Sequence, residues 1–533
     1  MNQVSSQPDV VLVQPPVGGD YSFWKSESLG MGYLAAFLEQ RGYSVKIIDA
    51  FLLDLDVDVV VDEILSSPPR LILGFSMLSY ELYRTGCEII HRLRDAGLKT
   101  HVTVGSWFAT FWYQTMIEEG CPFDSIVLSE GERSLGALAD FLNTGSWNDA
   151  EDLIREEIGG VLVLRQKATI ADLDSLPHPR RDYLHHAYSR YHLATVYTAR
   201  GCGHNRCTFC SVREFYRGGQ CHRLRSAADV VDEVAEIAAQ GINFIFFCDE
   251  DFLGKEPDGP ARAIEIFEGI AARGLKMRYT FNCTSLGVEE NLFRRLKELG
   301  LVAVYIGIES NIDRMLKLFG KGISSDGIKR AVAILRDLDI KLVPGWIMFD
   351  RNTTLEEIES QIKFIDRLGA YHVNYIKSLY VMKGTPIEHI YDKELYRSHY
   401  YTGYFFHDPD VELLVRILST EYLPTALSHA QGIYPIWHRL LAGYGSVEEK
   451  RIYDRINDTM RKLSLGMVSE IIERIRSRTL DGLAGAIEDS LKDWKQVETD
   501  IDSLARSIET AAISENEEID VSERQEMLCV HKS

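Results

Sequence analysis

The chain has 533 residues, 45% hydrophobic and 26% charged, enough for roughly three domains with sizeable cores. Lys and Arg number 58 against 79 Asp and Glu, and a net charge of −21 disfavours general binding of nucleic acid. No apolar run is long enough for a membrane span, and the start, MNQVSSQPDVVLVQPP, lacks the basic region of a secretory signal.

Residues 1–150 alternate short apolar runs with helical patterns. The runs are Val10–Val13, Val45–Ile48, Leu71–Gly74, Val102–Val104 and Ile126–Leu128. Helical patterns cover Gly32–Arg41, Leu82–Asp95 and Ser106–Glu119. Short apolar runs separated by helices predict parallel strands covered on both faces, hence a doubly wound sheet. Such a sheet binds ligands at the carboxyl ends of its strands, here near Phe75–Ser79, Gly105–Ser106 and Ser129–Gly131.

Residues 151–190 form a connector, with a short strand at Val161–Leu164 and an extended, proline-bearing Asp172–Pro179. From 191 to 394 the alternation resumes. Strands are predicted at Val196–Arg200, Phe244–Cys248, Met277–Phe281, Val302–Ile308, Leu342–Phe349 and His372–Tyr380. Ser226–Gln240 is the clearest helix, with Ser226 and Asp229 at capping positions and Val230, Val231, Val234, Ile237 and Ala238 on one face. Six βα-type units predict a partial (β/α)6 barrel with its chemistry at the carboxyl strand ends. Residues 395–510 read as a mostly helical domain, over Val411–Leu423, Tyr434–Leu441, Val447–Leu463 and Leu465–Arg476. The aromatic-rich Tyr396–Phe406 either lines a cavity or packs these helices on the barrel. Residues 511–533 are an acidic tail expected to be disordered.

Nine cysteines, an odd number, do not read as a disulfide framework, and reduced cytoplasmic thiols are expected. Cys202, Cys207 and Cys210 fall on the loop leaving the first barrel strand. Thiolates gathered on one loop suit an iron–sulfur cluster or zinc. Three ligands leave a coordination position open for substrate or cofactor. The zinc reading takes a more distant fourth ligand, Cys221 or His204. Cys248 and Cys283, at barrel strand ends, read as small buried residues.

This loop, with Phe209 inside its final C-x2-C, resembles the radical S-adenosylmethionine (SAM) enzymes. Their usual spacing is C-x3-C-x2-C, whereas this chain has C-x4-C-x2-C. The resemblance covers about Arg200–Ile387. It implies that Cys202, Cys207 and Cys210 hold a [4Fe–4S] cluster whose fourth iron binds SAM. It implies SAM contacts at Phe209, at Asp249 in Phe247-Cys-Asp-Glu-Asp-Phe252, at Glu309 in Tyr305-Ile-Gly-Ile-Glu309-Ser310, and at Ile347 in Gly345-Trp-Ile347. Gly384-Thr-Pro386 resembles the turn after the sixth strand.

The preceding block resembles the Rossmann-like cobalamin-binding domain of cobalamin-dependent members. The matching segments are Leu12-Val-Gln-Pro-Pro16, Leu29-Gly-Met-Gly-Tyr-Leu-Ala-Ala36, Gly74-Phe-Ser76 and Ser129-Glu-Gly-Glu132, with the Asp172-Leu-Asp-Ser-Leu-Pro177 connector. The resemblance implies cobalamin contacts at Ser76, Gly105, Ser106, Glu130 and Gly131. Glu130 and Glu132 can instead cap the following helix. D-x-H-x-x-G is absent, and His91 and His101 lie away from strand-end loops, so the lower face of the cobalamin is predicted to lack a histidine ligand.

The implied activity is methyl transfer to an unactivated carbon, or phosphorus, of a small molecule, with the specialised metabolism typical of the family. A radical cyclisation, rearrangement or oxidation without methyl transfer is a second reading. A zinc-stabilised, non-catalytic binding protein is a third. The expected partners are a small-molecule substrate and an electron donor such as flavodoxin or ferredoxin, with no nucleic acid and no membrane.

Overall fold

The computed structural model describes residues 7–515 apart from 18–24, 148–149, 255–257, 370–374, 399 and 431. Every residue of β1, Val10–Gln14, is buried, as a strand covered on both faces requires. Val11 and Val13 join one apolar cluster and Val10 and Leu12 another, the two-residue alternation of a strand between two helical layers. The sheet continues through β2 (Val45–Asp49), β3 (Ile72–Ser76), β4 (His101–Gly105), β5 (Ser125–Leu128), β6 (Leu153–Ile158) and β7 (Val161–Gln166). The strand order is β2-β1-β3-β4-β5-β7-β6, and β6 pairs antiparallel with β7. The order reverses between β1 and β3, which opens a crevice at their carboxyl ends. The short strand expected at Val161–Leu164 is thus one arm of a hairpin that extends the sheet. Helix Val57–Ser66, capped by Asp56 Oδ1 on the Val59 N–H at 2.8 Å, joins the helices expected in this domain.

The second sheet contains β8 (Ala194–Val196), and β9 (Ala199–Arg200) and β10 (Arg223–Leu224) form a small antiparallel ladder beside it. The sheet then takes in β11 (Phe244–Phe247), β12 (Arg278–Cys283), β13 (Leu301–Glu309) and β14 (Lys341–Trp346). Its five parallel strands run β14-β13-β12-β11-β8. The strand expected over Val196–Arg200 is divided, because the Asp249 carboxylate captures the N–H groups of Thr198 and Ala199 and turns the chain out of the sheet. Among the described residues, the sixth unit appears as a single parallel bridge between Phe349 and Ser378. The strand expected over His372–Tyr380 begins outside the described residues.

The segment expected to line a cavity or pack helices folds as a hairpin of β15 (Leu395–Ser398) and β16 (Tyr401–Tyr404). Tyr400, at its tip, packs in the core of the first domain with its hydroxyl 3.2 Å from that of Tyr83. The two helices expected over Val447–Leu463 and Leu465–Arg476 are one, Val447–Ser477, opened by a Ser446–Glu449 capping box and continuous through Gly466. The final helix, Leu483–Glu515, lies mostly in the domain read as helical, although no helix was singled out there; it pairs with that long helix. Both share one core with the second sheet, in which Tyr453, Ile472 and Trp494 are buried. The tail expected to be disordered over 511–533 begins instead as helix, because residues 511–515 complete the final helix, and those beyond 515 lie outside the described residues.

Candidate active site

A cavity of about 410 Å³ lies where the carboxyl ends of β1, β3, β4 and β5 meet the second sheet. Ser76, Gly105, Ser106, Glu130 and Gly131 all line it. Close approach is built in: a Cβ on Gly74 would lie 3.0 Å from Leu12 Cδ2, and one on Gly105 would lie 3.3 Å from the Val127 carbonyl oxygen. Ser106 and Ser129 hold φ of 85° and 65°, left-handed turns that are unusual for side-chain-bearing residues. Across the cavity stand Tyr197, Arg200, Phe215, Tyr216, Phe246 and Cys248. Trp107 stacks on Phe215 with ring centroids 4.2 Å apart, closing the wall between the two domains. No histidine is among the described lining residues. His101 faces Ser125 Oγ at 2.9 Å, and His91 is exposed on its helix.

Glu130 lines the cavity, but its carboxylate is engaged elsewhere. It accepts from Arg200 Nη1 at 2.7 Å, Arg223 Nη1 at 2.9 Å and the Ile170 N–H at 2.9 Å. Glu132 opens the next helix and takes the other arm of Arg200 at 2.5 Å. Both acids therefore clamp the strand that leads into the three-cysteine loop.

That loop is irregular and tied down from several sides. Gly201 has φ of 83°, and a Cβ there would lie 1.6 Å from the Cys221 carbonyl oxygen, so only glycine fits. Thr208 donates its N–H to Phe319 O at 3.0 Å and its hydroxyl to Leu318 O at 2.8 Å, and Ile387 N donates to Thr208 O at 2.9 Å. His204 Nε2 lies 2.8 Å from the Gly320 oxygen. The three thiols are half-buried, and Cys202 and Cys210 pack with Cys221 against Val212, Phe215 and Tyr216. Among the described residues, no three Cys, His, Asp or Glu side chains converge on a point that one ion can occupy. A [4Fe–4S] cluster has no such requirement, because each thiolate binds its own iron.

The acidic run at the end of β11 divides its labour. Asp249 is fully buried and accepts from Thr198 N at 2.6 Å, Thr198 Oγ1 at 2.5 Å and Ala199 N at 2.9 Å. Sequence reasoning singled out this residue and missed its two neighbours. Glu250 accepts from Gly201 N at 3.2 Å, and burial pushes its carboxyl up to about 7. Asp251 Oδ2 lies 3.9 Å from Cys202 Sγ, and its buried Oδ1 has no hydrogen-bond partner among the described residues. All four strand residues before this run are buried, so no alternation along the strand signalled which acid turns inward.

Glu309 sits at a bulge ending β13 with φ of 65°. Its carbonyl accepts from Ile347 N at 2.8 Å, and its Oε1 lies 3.4 Å from Lys321 Nζ. Burial opposes the charge on Lys321, but Glu309 and Cys207 outweigh it and hold the ammonium above its usual range. Lys321 is a further site residue that the sequence reading did not single out. Phe209 and Ile347 share one apolar cluster with Phe319, whose ring centroid is 5.4 Å from that of Phe209. The cysteine loop, Phe209, Glu309 and Ile347 are thereby gathered, and Asp249 buttresses the gathering from behind.

Residues 196–373 match the family model of the radical SAM superfamily, and residues 25–139 match that of the B12-binding domain. An uncharacterized methyltransferase of Pyrococcus horikoshii is 30% identical over 358 residues, covering 65% of this chain and 74% of the relative. The chain belongs to the cobalamin-dependent radical SAM enzymes. 4′-Phospho-dehydrooxetanocin synthase of Priestia megaterium is 25% identical over 386 residues, covering 64% of this chain and 49% of that enzyme. The cobalamin-dependent radical SAM enzyme OxsB, solved with aqua-cobalamin and SAM bound, superposes with a TM-score of 0.73. It is 20% identical, and the match covers 95% of this chain and 80% of OxsB, a likeness of fold.

The cofactors of a cobalamin-dependent radical SAM enzyme are a [4Fe–4S] cluster, SAM and cobalamin. The residues present fit them. Three half-buried thiols share one loop, an unpartnered Asp251 oxygen is buried beside them, and a glycine-lined crevice opens between the two sheets. A zinc-stabilised, non-catalytic protein is not favoured by these matches.

Proposed function

We propose that this radical SAM enzyme methylates an unactivated carbon, or phosphorus, of a small molecule. The observation that carries the proposal is the shared cavity: residues of the B12-binding domain and of the radical SAM barrel line one space beside the cysteine loop. Bound there, the cluster and SAM supply a 5′-deoxyadenosyl radical and cobalamin supplies a methyl carrier. In this reading Cys202, Cys207 and Cys210 hold the cluster. Glu309, Phe209 and Ile347 border SAM, while Asp249 acts by holding Thr198 and the start of the loop. Ser76, Gly105, Ser106 and Gly131 border the corrin, and Glu130 contributes through its backbone while its carboxylate holds Arg200 and Arg223. The apolar and aromatic walls, Phe215, Tyr216 and Phe246 among them, exclude water from a reactive radical.

The electron comes from an acidic carrier such as flavodoxin or ferredoxin. The eight described cysteines are all free thiols, which supports a reducing, cytoplasmic location. No described helix is long and apolar enough to cross a membrane.

The test is anaerobic incubation of the cluster-loaded, cobalamin-supplied enzyme with SAM, a reductant and candidate substrates. Formation of both 5′-deoxyadenosine and S-adenosylhomocysteine is expected. 5′-Deoxyadenosine with no methylated product would overturn methyl transfer. Zinc in place of iron in the purified protein would overturn the whole reading.

A further inference from the structure

Residues 200–225 carry six arginines and one acidic residue, Glu214, in a chain whose net charge is −21. Three of the arginines point inward and have buried acidic partners: Arg200 and Arg223 on Glu130, and Arg225 on Glu233. The other three, Arg206, Arg213 and Arg217, face solvent, with the last two side chains 63% and 64% exposed. Glu214 pairs with Arg217 and lies 4.0 Å from Arg213, so one carboxylate stands against two guanidinium groups.

Two further cations stand on neighbouring segments, each beside exposed acids: Lys167 N donates to Asp152 O at 2.8 Å with Glu151 adjacent, and Lys317 follows Asp313 by one turn of the same helix. A Cβ on Gly218 would lie 2.8 Å from Lys167 O, which brings the exposed Lys167 alongside; its ammonium donates to Glu151 O at 2.6 Å. A Cβ on Gly320 would lie 2.5 Å from Arg206 O, which brings the turn after the exposed Lys317 against the loop. Three exposed arginines against the single Glu214 carboxylate thus stand within and just after the cysteine loop. Arg206 directly precedes Cys207, and Arg213 follows Cys210 by three positions.

We propose that this face docks an acidic, one-electron carrier protein of the flavodoxin type, so that its redox group stands next to the three-cysteine loop. The proposal rests on the reading above, in which the cluster must be reduced for each cleavage of SAM. One electron passes from the anionic hydroquinone of the donor's flavin to the cluster. The flavin is oxidised by one electron, the cluster is reduced by one, and no bond forms or breaks. Charge decides where the carrier docks. An acidic partner is repelled by a chain of net charge −21 taken as a whole and attracted where the sign is locally reversed.

The test compares the holoenzyme with its R213E/R217E and R213Q/R217Q variants, neither residue being part of the proposed cofactor sites. Binding of an oxidised acidic flavodoxin is followed by titration calorimetry at low and high salt. 5′-Deoxyadenosine formation is driven in parallel by reduced flavodoxin or by dithionite. Charge reversal is expected to weaken flavodoxin binding by about tenfold or more at low salt, with a smaller loss in the Gln variant and a smaller difference at high salt. Flavodoxin-driven turnover should fall in step while dithionite-driven turnover and iron content stay unchanged. Unaltered binding in R213E/R217E would overturn the proposal. So would equal losses under both reductants at unchanged iron content, or tighter binding of a nucleic-acid duplex than of flavodoxin at the same salt. If the unmodified enzyme forms no 5′-deoxyadenosine under either reductant, the functional reading fails, while the calorimetry still decides the docking face.

Discussion

Arg200 donates to Glu130 across 2.7 Å, linking the residue two places before Cys202 to the loop after β5 of the other sheet. Glu130 is 3% exposed and also serves Arg223, which is 1% exposed. Removing one partner of a buried pair leaves the other charge without compensation. Glu130→Ala is expected to destabilise the protein by about 3–5 kcal/mol in urea unfolding and to lower its iron content. A loss below about 1 kcal/mol, the worth of a surface pair, would show the network to be solvated.

Glu27 lines the same cavity, and burial pushes its carboxyl up to about 7 against an ordinary 4.5. Arg181 only partly opposes this. Its Nη1 stands 3.6 Å from Glu27 Oε2, and its other nitrogen is held by Glu233. Between the two pKa values the unfolded chain has released a proton that the folded chain keeps, so Glu27 lowers stability as pH rises from about 5 to 8. Glu27→Gln should remove a decline on the order of 3 kcal/mol across that range. Urea midpoints at both pH values check this, and parallel slopes for the two proteins would refute it.

Gly201 offers a local test of the loop. Alanine there must hold φ near 83° and place a Cβ 1.6 Å from the Cys221 carbonyl, so the loop has to move. Gly201→Ala is expected to lose most of its iron and about 1–3 kcal/mol of stability from backbone strain alone. Gly485→Ala is the control. It lies in the final helix with open space around it and should stabilise by about 0.5–1 kcal/mol. Full iron retention in Gly201→Ala would mean that the loop is looser than its contacts imply.

These residues also mark how far the sequence could be read. Most strands of both sheets and the cysteine loop were legible because apolar runs and ligand spacing are local signals; β6, half charged and half exposed, was missed, and β8 begins two residues before the strand expected there. Val10–Gln14 and Phe244–Phe247 are buried throughout, as continuous apolar runs predict. The pairing of Glu130 with Arg200 was not legible, because 70 residues separate two partners that meet only after both sheets form. The 395–404 hairpin was hidden likewise, since the environment of Tyr400 is set by Tyr83 in the other domain. Two helices were read where there is one: the break was placed at Ser464, and the burial of Leu465, Met467 and Val468 just after it carries the helix through.

Asp249 separates a positioning role from a binding one. Its two oxygens accept three hydrogen bonds, all from Thr198 and Ala199, and none of its lone pairs is aimed by these contacts toward the cysteine loop. An asparagine keeps one oxygen for the two N–H groups and can donate to Thr198 Oγ1, so the turn survives with weaker bonds. Alanine leaves all three donors unpaired at about 1–3 kcal/mol for each buried group. If Asp249 acts by holding Thr198, Asp249→Asn retains iron and binds SAM within about threefold of the unmodified enzyme, a difference under 1.4 kcal/mol. Asp249→Ala then loses both stability and iron. If Asp249 instead touches the amino group of SAM, Asp249→Asn keeps its iron while its Kd for SAM, measured by equilibrium dialysis, rises by about tenfold or more. The hydrogen bonds favour the first outcome, because the turn takes three of the carboxylate's roughly four acceptor positions and leaves only one, on Oδ2, for a ligand.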